Sequence, residues 1–285
     1  MSSFGTYIVT ALQAEARPLI SHFGLKQDTT CHALRVYRSD RITLVVSGTG
    51  KVKSAIATTG VLQPVAETSR AIVLNLGISG ASNLKGDQAC EIGDGFLVNR
   101  LFDYSSGRSY YPDMLARCEC PEAMLTTVDR PLDSKDDISV PDGLVDMEGS
   151  GFFEAAATFC GPHQIALYKV VSDFLQVEKL DKEWVSDLIS AHIPRLESIC
   201  DSYQAIVHEE YDVLSDEDRN LLRRVRDNLR LTVSQFKILT ESARFCKLES
   251  GNPLPDLSPY FTVSVSGKHE GKQHFERIRE RLLAS

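Results

Sequence analysis

The stretch AIVLNLGISGA, residues 71–81, decides how this chain is read. Residues 71–76 form a nearly continuous apolar run of strand length, and Gly77-Ile78-Ser79-Gly80 ends it abruptly. A strand without alternating polar positions is covered on both faces, as in a sheet packed between helices. The flanking chain repeats the pattern. Residues 7–12 and 42–46 are strand-like, each followed by a helical segment, at 14–23 and 51–62; Ser47-Gly48-Thr49-Gly50 joins the second pair. Downstream, residues 95–99, 124–127, 144–146 and 165–171 read as strands, and 149–160 as a small-residue helix. This is α/β alternation around a central sheet, which places ligands beyond the carboxyl ends of its strands.

After Phe174 the pattern turns helical. Residues 182–203 carry a stripe of Trp184, Leu188, Ile189, Ile193, Leu196 and Ile199, and predict one helix. Ser215-Asp216-Glu217-Asp218 starts another, expected to run to about 245. Gly251, Pro253, Pro255 and Pro259 break it, and a strand at 261–265 and a helix at 273–283 are expected to follow. The domains are read as 1–204 and a mainly helical extension, 205–285.

With 285 residues, 42% hydrophobic and 25% charged, the chain is an ordinary globular one. A net charge of −8 provides no basic field for nucleic acid or an anionic membrane. Arg219, Arg223, Arg224, Arg226 and Arg230 form a local basic face that Asp212, Asp216, Asp218 and Asp227 dilute, so it reads as solvated. No apolar run reaches the roughly 18 residues of a membrane span. Seven scattered cysteines and no signal-like start point to a reduced, cytoplasmic protein. Cys118-Glu119-Cys120 stands alone and the histidines are dispersed (His269 and His274 being separated by Gly271), so neither metal nor cofactor is implied.

Three carboxylates follow strands: Glu15, Glu148 and Asp173. At a sheet's carboxyl edge they make an acid/base set, or else Asp173 caps the following helix and Glu15 is a solvated first-turn residue. The two glycine loops are ligand-approach loops or tight turns; neither has the phosphate-loop or dinucleotide spacing.

The ordered segments Glu15, SGTGKV (47–52), NLGISGA (75–81), GD (93–94), VDMEGSG (145–151) and VVSD (170–173) resemble the purine nucleoside phosphorylase/uridine phosphorylase superfamily. The methylthioadenosine/S-adenosylhomocysteine nucleosidases are its most similar branch. The resemblance implies a mixed, twisted central sheet flanked by helices, and hydrolysis of a purine-type nucleoside to free base and sugar. It implies that Asp173 protonates N7 of the base, Glu148 grips the ribose hydroxyls with Met147 beside the sugar, and Glu15 activates the attacking water. It also implies substrate contacts at Thr49, Gly77, Ser79, Ser172 and Leu132, a homodimer, and Tyr110 or Tyr111 closing the partner's pocket. As a proton donor near neutral pH, Asp173 calls for a raised pKa and a fairly dry site.

Two departures shape the reading. Relatives place a Phe-Ile pair, whose ring stacks on the base, where this chain has Asp129-Arg130-Pro131-Leu132, so the base stays open. Phosphorylases of the superfamily need an arginine where this chain has Asn75, which favours water as nucleophile. Arg17, near Glu15, is the only nearby cation, and Arg41 lies earlier on the second strand. A phosphate-dependent phosphorylase and a non-catalytic nucleoside sensor are the alternatives.

Overall fold

The computed structural model describes residues 5–65, 71–82, 90–115, 120–133, 140–176, 181–209, 213–263, 265 and 268–283. Chain contacts divide it into two compact units, 1–209 and 210–285.

The first unit is a ten-stranded mixed sheet. Its strands are β1 (Gly5–Thr10), β2 (Lys26–Gln27), β3 (Arg35–Arg38), β4 (Ile42–Val46), β5 (Ala71–Ser82), β6 (Gly95–Asp103), β7 (Ser109–Tyr110), β8 (Glu122–Thr127), β9 (Gly143–Asp146) and β10 (Ile165–Asp173). The helices are α1 (Gln13–His22), α2 (Lys51–Leu62), α3 (Gly149–Ala157), α4 (Lys182–Ala191) and α5 (Ile193–Glu209). The deciding stretch is β5, flanked by parallel β1 and β10, with Val9 opposite Asn75 and Lys169 opposite Gly77. Its far end pairs antiparallel with β9, and β10 also pairs with β6, so β5, β10, β6, β8 and β9 close into a ring.

Both faces of β5 are covered, which explains its unbroken apolar run. Val9, Val73, Leu167 and Val171 share one core cluster with Ala57, Val61 and Phe152 of α2 and α3. Ile8, Leu74, Leu76 and Tyr168 share the other with Leu19 of α1, Ile189 of α4 and Leu196 of α5. At Gly151 an added Cβ would lie 2.0 Å from the carbonyl oxygen of Lys51, so only glycine lets α3 approach the start of α2. Pro18 of α1 has no N–H to offer the carbonyl of Ala14, and Ser186 Oγ of α4 donates to it instead at 2.7 Å.

The helix expected over 182–203 is two helices. The break falls at His192, just before Pro194, where a continuing helix would lose a backbone donor. His192 joins Tyr168 OH at 2.7 Å and the Gly93 carbonyl oxygen at 2.8 Å.

The second unit contains α6 (Asp216–Leu229), α7 (Val233–Ser250) and α8 (Lys268–Leu283) around a core that includes Leu222, Val225, Leu239, Phe275 and Ile278. The helix expected to reach 245 breaks at Arg230, which is left-handed with φ +52°, and restarts from a Thr232–Gln235 capping box. The strand expected at 261–265 is not formed by its described residues: Phe261 ends a 3-10 turn, Ser258–Phe261, which Pro259 suits, and Thr262, Val263 and Val265 lie in no strand. The last helix begins at Lys268, before the expected 273, and so includes Gly271. Arg223 and Arg224 on α6 and Arg230 just past its end are exposed, while Arg224 lies 4.1 Å from the Phe261 ring centroid and Arg226 5.0 Å from that of Phe236. Among the described residues no helix is long and apolar enough to cross a membrane.

Candidate active site

A cavity of about 300 Å³ opens at the carboxyl ends of β1, β5, β9 and β10. Glu15, Glu148 and Asp173 all line it, with Thr49, Ser79, Leu132, Met147 and Ser172. Three strand ends far apart in sequence thus deliver carboxylates to one space.

Glu15 is buried, at 1% exposure, which removes the solvated first-turn reading. Its Oε2 accepts from the N–H groups of Ala11 and Leu12 at 2.9 and 2.8 Å, and its Oε1 from that of Ile78 at 2.9 Å. Burial pushes its pKa up against these three donors and the nearby Lys169 charge. Gly77 makes room for the group without lining the cavity, since a Cβ there would lie 2.9 Å from Glu15 Oε1.

Glu148 stands at the N-terminus of α3, where Oε1 accepts from the Gly50 N–H at 2.7 Å. Gly50, with φ +105°, takes a backbone form that side chains disfavour, and this aims its amide. Burial first, then Asp146 and Glu15, push the Glu148 pKa up to about 7 against Lys169 and the Gly50 amide.

Asp173 accepts from Ser172 Oγ at 2.7 Å and from the Gln176 N–H at 3.3 Å, so it closes a turn while facing the cavity; it caps no helix among the described residues, since α4 starts at Lys182 with Asp181 as its cap. It is half-buried, more open than Glu15 and Glu148. Ser79, 3% exposed, borders the cavity, and its Oγ has no hydrogen-bond partner among the described residues. Leu132 packs with Val128, Val140 and Val145 against Met147 and Leu175, giving an aliphatic wall.

Sequence reasoning missed a buried cation. Lys169, 1% exposed, comes from β10, and its Nζ lies 2.9 Å from Asp146 Oδ2. A lone lysine inside IALYKVV, residues 165–171, was the signal available. None of the described residues lining the cavity is cationic. Asn75 is not at the cavity either; its Nδ2 donates to the Val9 carbonyl oxygen at 3.1 Å. Arg17 is exposed and pairs with Glu183, and Arg41 precedes the amino end of β4, away from the carboxyl edge.

Tyr110 and Tyr111 lie outside the lining as well. Tyr110 packs on Phe153 and donates to Glu154, and burial with that carboxylate pushes its pKa up to about 12. Tyr111 is 63% exposed, with Arg100 over its ring. Among the described residues no cluster of three or more His, Cys, Asp or Glu is arranged for a metal. Cys118 and the side chain of His269 lie outside the described residues.

No protein-family model and no curated protein sequence matches the chain. Solved structures match its fold. The 5′-methylthioadenosine/S-adenosylhomocysteine nucleosidase of Helicobacter pylori, solved with butyl-thio-DADMe-Immucillin-A, is 18% identical with a TM-score of 0.57, over 70% of this chain and 99% of that one. The futalosine hydrolase of the same organism is 19% identical with a TM-score of 0.56, over 70% and 98%. The 5′-methylthioadenosine nucleosidase of Arabidopsis thaliana is 22% identical with a TM-score of 0.55, over 72% and 96%. The chain therefore has the nucleoside phosphorylase/nucleosidase fold.

Proposed function

We propose that the protein hydrolyses the N-glycosidic bond of a purine-type nucleoside. The observation that carries this reading is the meeting of Glu15, Glu148 and Asp173 on one cavity. Cleavage builds positive charge on the ribose and negative charge on the base, so opposite demands fall on different groups. Asp173 gives its proton to N7 as the C1′–N9 bond breaks and the bond's electrons move onto the base. Glu15 takes a proton from water as the water oxygen bonds to C1′; its raised pKa makes it the stronger base. Glu148 accepts from the 2′- and 3′-hydroxyls, with Met147 along the sugar. Ser79 Oγ, unpartnered among the described residues, and Ser172 and Thr49 offer further polar contacts.

Water is the nucleophile in this reading because the described lining offers no cation to bind phosphate. Methylthioadenosine and S-adenosylhomocysteine are the first substrates to try, with an aliphatic wall at Leu132 in place of a stacking ring. The protein acts in the cytoplasm as a homodimer, with Tyr111 the aromatic better exposed for a partner's pocket. Residues 1–204 supply the catalysis in this reading, and the helical extension has no assigned role. Chromatography for free base, after incubation with purine nucleosides in phosphate-free buffer, tests it. Release only with phosphate would make the protein a phosphorylase; tight binding without release would make it a sensor.

A further inference from the structure

Lys51 does not line the cavity, nor do the residues its ammonium holds, but one of them, Asp129, follows directly on Val128, which does. Its Nζ lies 2.9 Å from Asp103 Oδ2 and 2.9 Å from Asp129 Oδ1, and it also donates to Ser105 Oγ. Asp103 is buried, at 5% exposure, and Oδ2 accepts from Ser150 Oγ at 2.7 Å as well. Burial pushes the Asp103 carboxyl up, but hydrogen bonds from Ser150 and Lys51 hold it below the usual carboxylate range. An isolated exposed ion pair would do little; a lysine shared between a buried and an exposed carboxylate forms a network.

Asp103 and Ser105 do not line the cavity, but Asp129, Ser150 and Lys51 itself are close in sequence to groups that do. Asp129 opens the 129–132 loop, whose Pro131 and Leu132 form the apolar wall. Ser150 follows Glu148 by two residues in α3, and Lys51 follows Gly50, whose amide holds Glu148 Oε1. Glu15 and Asp173 take their hydrogen bonds elsewhere, from Ala11, Leu12, Ile78, Ser172 and Gln176.

We propose that Lys51 is a positioning residue that docks the 129–132 loop onto the Glu148 side of the site, and so governs substrate grip rather than bond cleavage. The proposal rests on the nucleosidase reading for its kinetic consequence, though not for its structural one. The test compares full-length wild type with Lys51→Met, Lys51→Arg and Asp129→Asn by steady-state kinetics and by amide hydrogen exchange. Lys51→Met should raise KM about tenfold while kcat stays within about twofold, because only groups that bind substrate are loosened. Lys51→Arg should restore most of the affinity, and Asp129→Asn should reproduce the rise in KM. The amides of Arg130 and Leu132 should exchange faster in Lys51→Met and Asp129→Asn than in wild type. Unchanged KM with unchanged exchange would overturn the proposal, as would a loss of kcat at constant KM. If Lys51→Met does not fold, Asp129→Asn decides, since Asp129 is exposed. A wild-type protein that releases no base would sink the nucleosidase reading, and the exchange rates alone would then judge the latch.

Discussion

Lys169 Nζ lies 2.9 Å from Asp146 Oδ2, with the two side chains 2% and 1% exposed. Asp146 also accepts from Thr127 Oγ1 at 2.8 Å and from the Gly149 N–H at 2.8 Å, so one carboxylate ties β8, β9, β10 and the start of α3 together. Met147 and Glu148 follow directly on that tie. Lys169 is also opposite Gly77, whose missing side chain leaves the space Glu15 occupies. A positive charge is thus sealed beneath a cavity lined by carboxylates.

Breaking that pair should be costly. Lys169→Met leaves Asp146 buried beside an apolar chain, and a loss of about 3–5 kcal/mol in unfolding free energy is expected. Lys169→Met with Asp146→Asn should recover part of it, because no uncompensated charge remains. Denaturant titration reads both; a single variant as stable as wild type would show that the pair contributes nothing.

Glu148 gives the free protein a pH signature. Its carboxyl is raised to about 7, so it is neutral below that value and charged above it. Gripping two ribose hydroxyls requires the charged form, and kcat/KM should fall about tenfold per pH unit below pH 7. The effect on stability runs the other way: a carboxyl raised in the folded state stabilises below its ordinary range, and that contribution is lost as pH rises through 7. Glu148→Gln should weaken binding and rate together and remove this limb from the pH profile. A limb at ordinary carboxylate values would count against the burial argument.

Gly77 offers a test of Glu15 that leaves the carboxylate in place. In Gly77→Ala the new methyl would lie 2.9 Å from Glu15 Oε1, which three amides prevent from swinging aside. A fall in kcat of about ten- to a hundredfold is expected from a misplaced base, with thermal stability changed far less. Equal kcat would remove Glu15 from the water-activating role.

The sequence made the sheet's centre plain because burial on both faces leaves residues 71–76 without polar alternation. It exposed Glu15, Glu148 and Asp173 because each stands at, or within a few residues of, the end of a strand. It hid what depends on pairing between distant segments. That β10 joins both β5 and β6 has no local signature, and neither does the approach of Lys51 to Asp103 and Asp129. The helix breaks at Pro194 and at the Thr232–Gln235 box did have local signals, which the longer apolar periodicity masked. Lys169 was passed over because a single charge scarcely alters the hydrophobic pattern of its strand.

The most direct test of the central claim is a time course of free-base release from a purine nucleoside, in phosphate-free buffer, by wild type and Asp173→Asn side by side. The expected result is many turnovers by wild type, at least about a hundredfold fewer by the variant, and nucleoside binding retained by both. Equal rates in the two proteins, or no base released by wild type from any purine nucleoside, would contradict it.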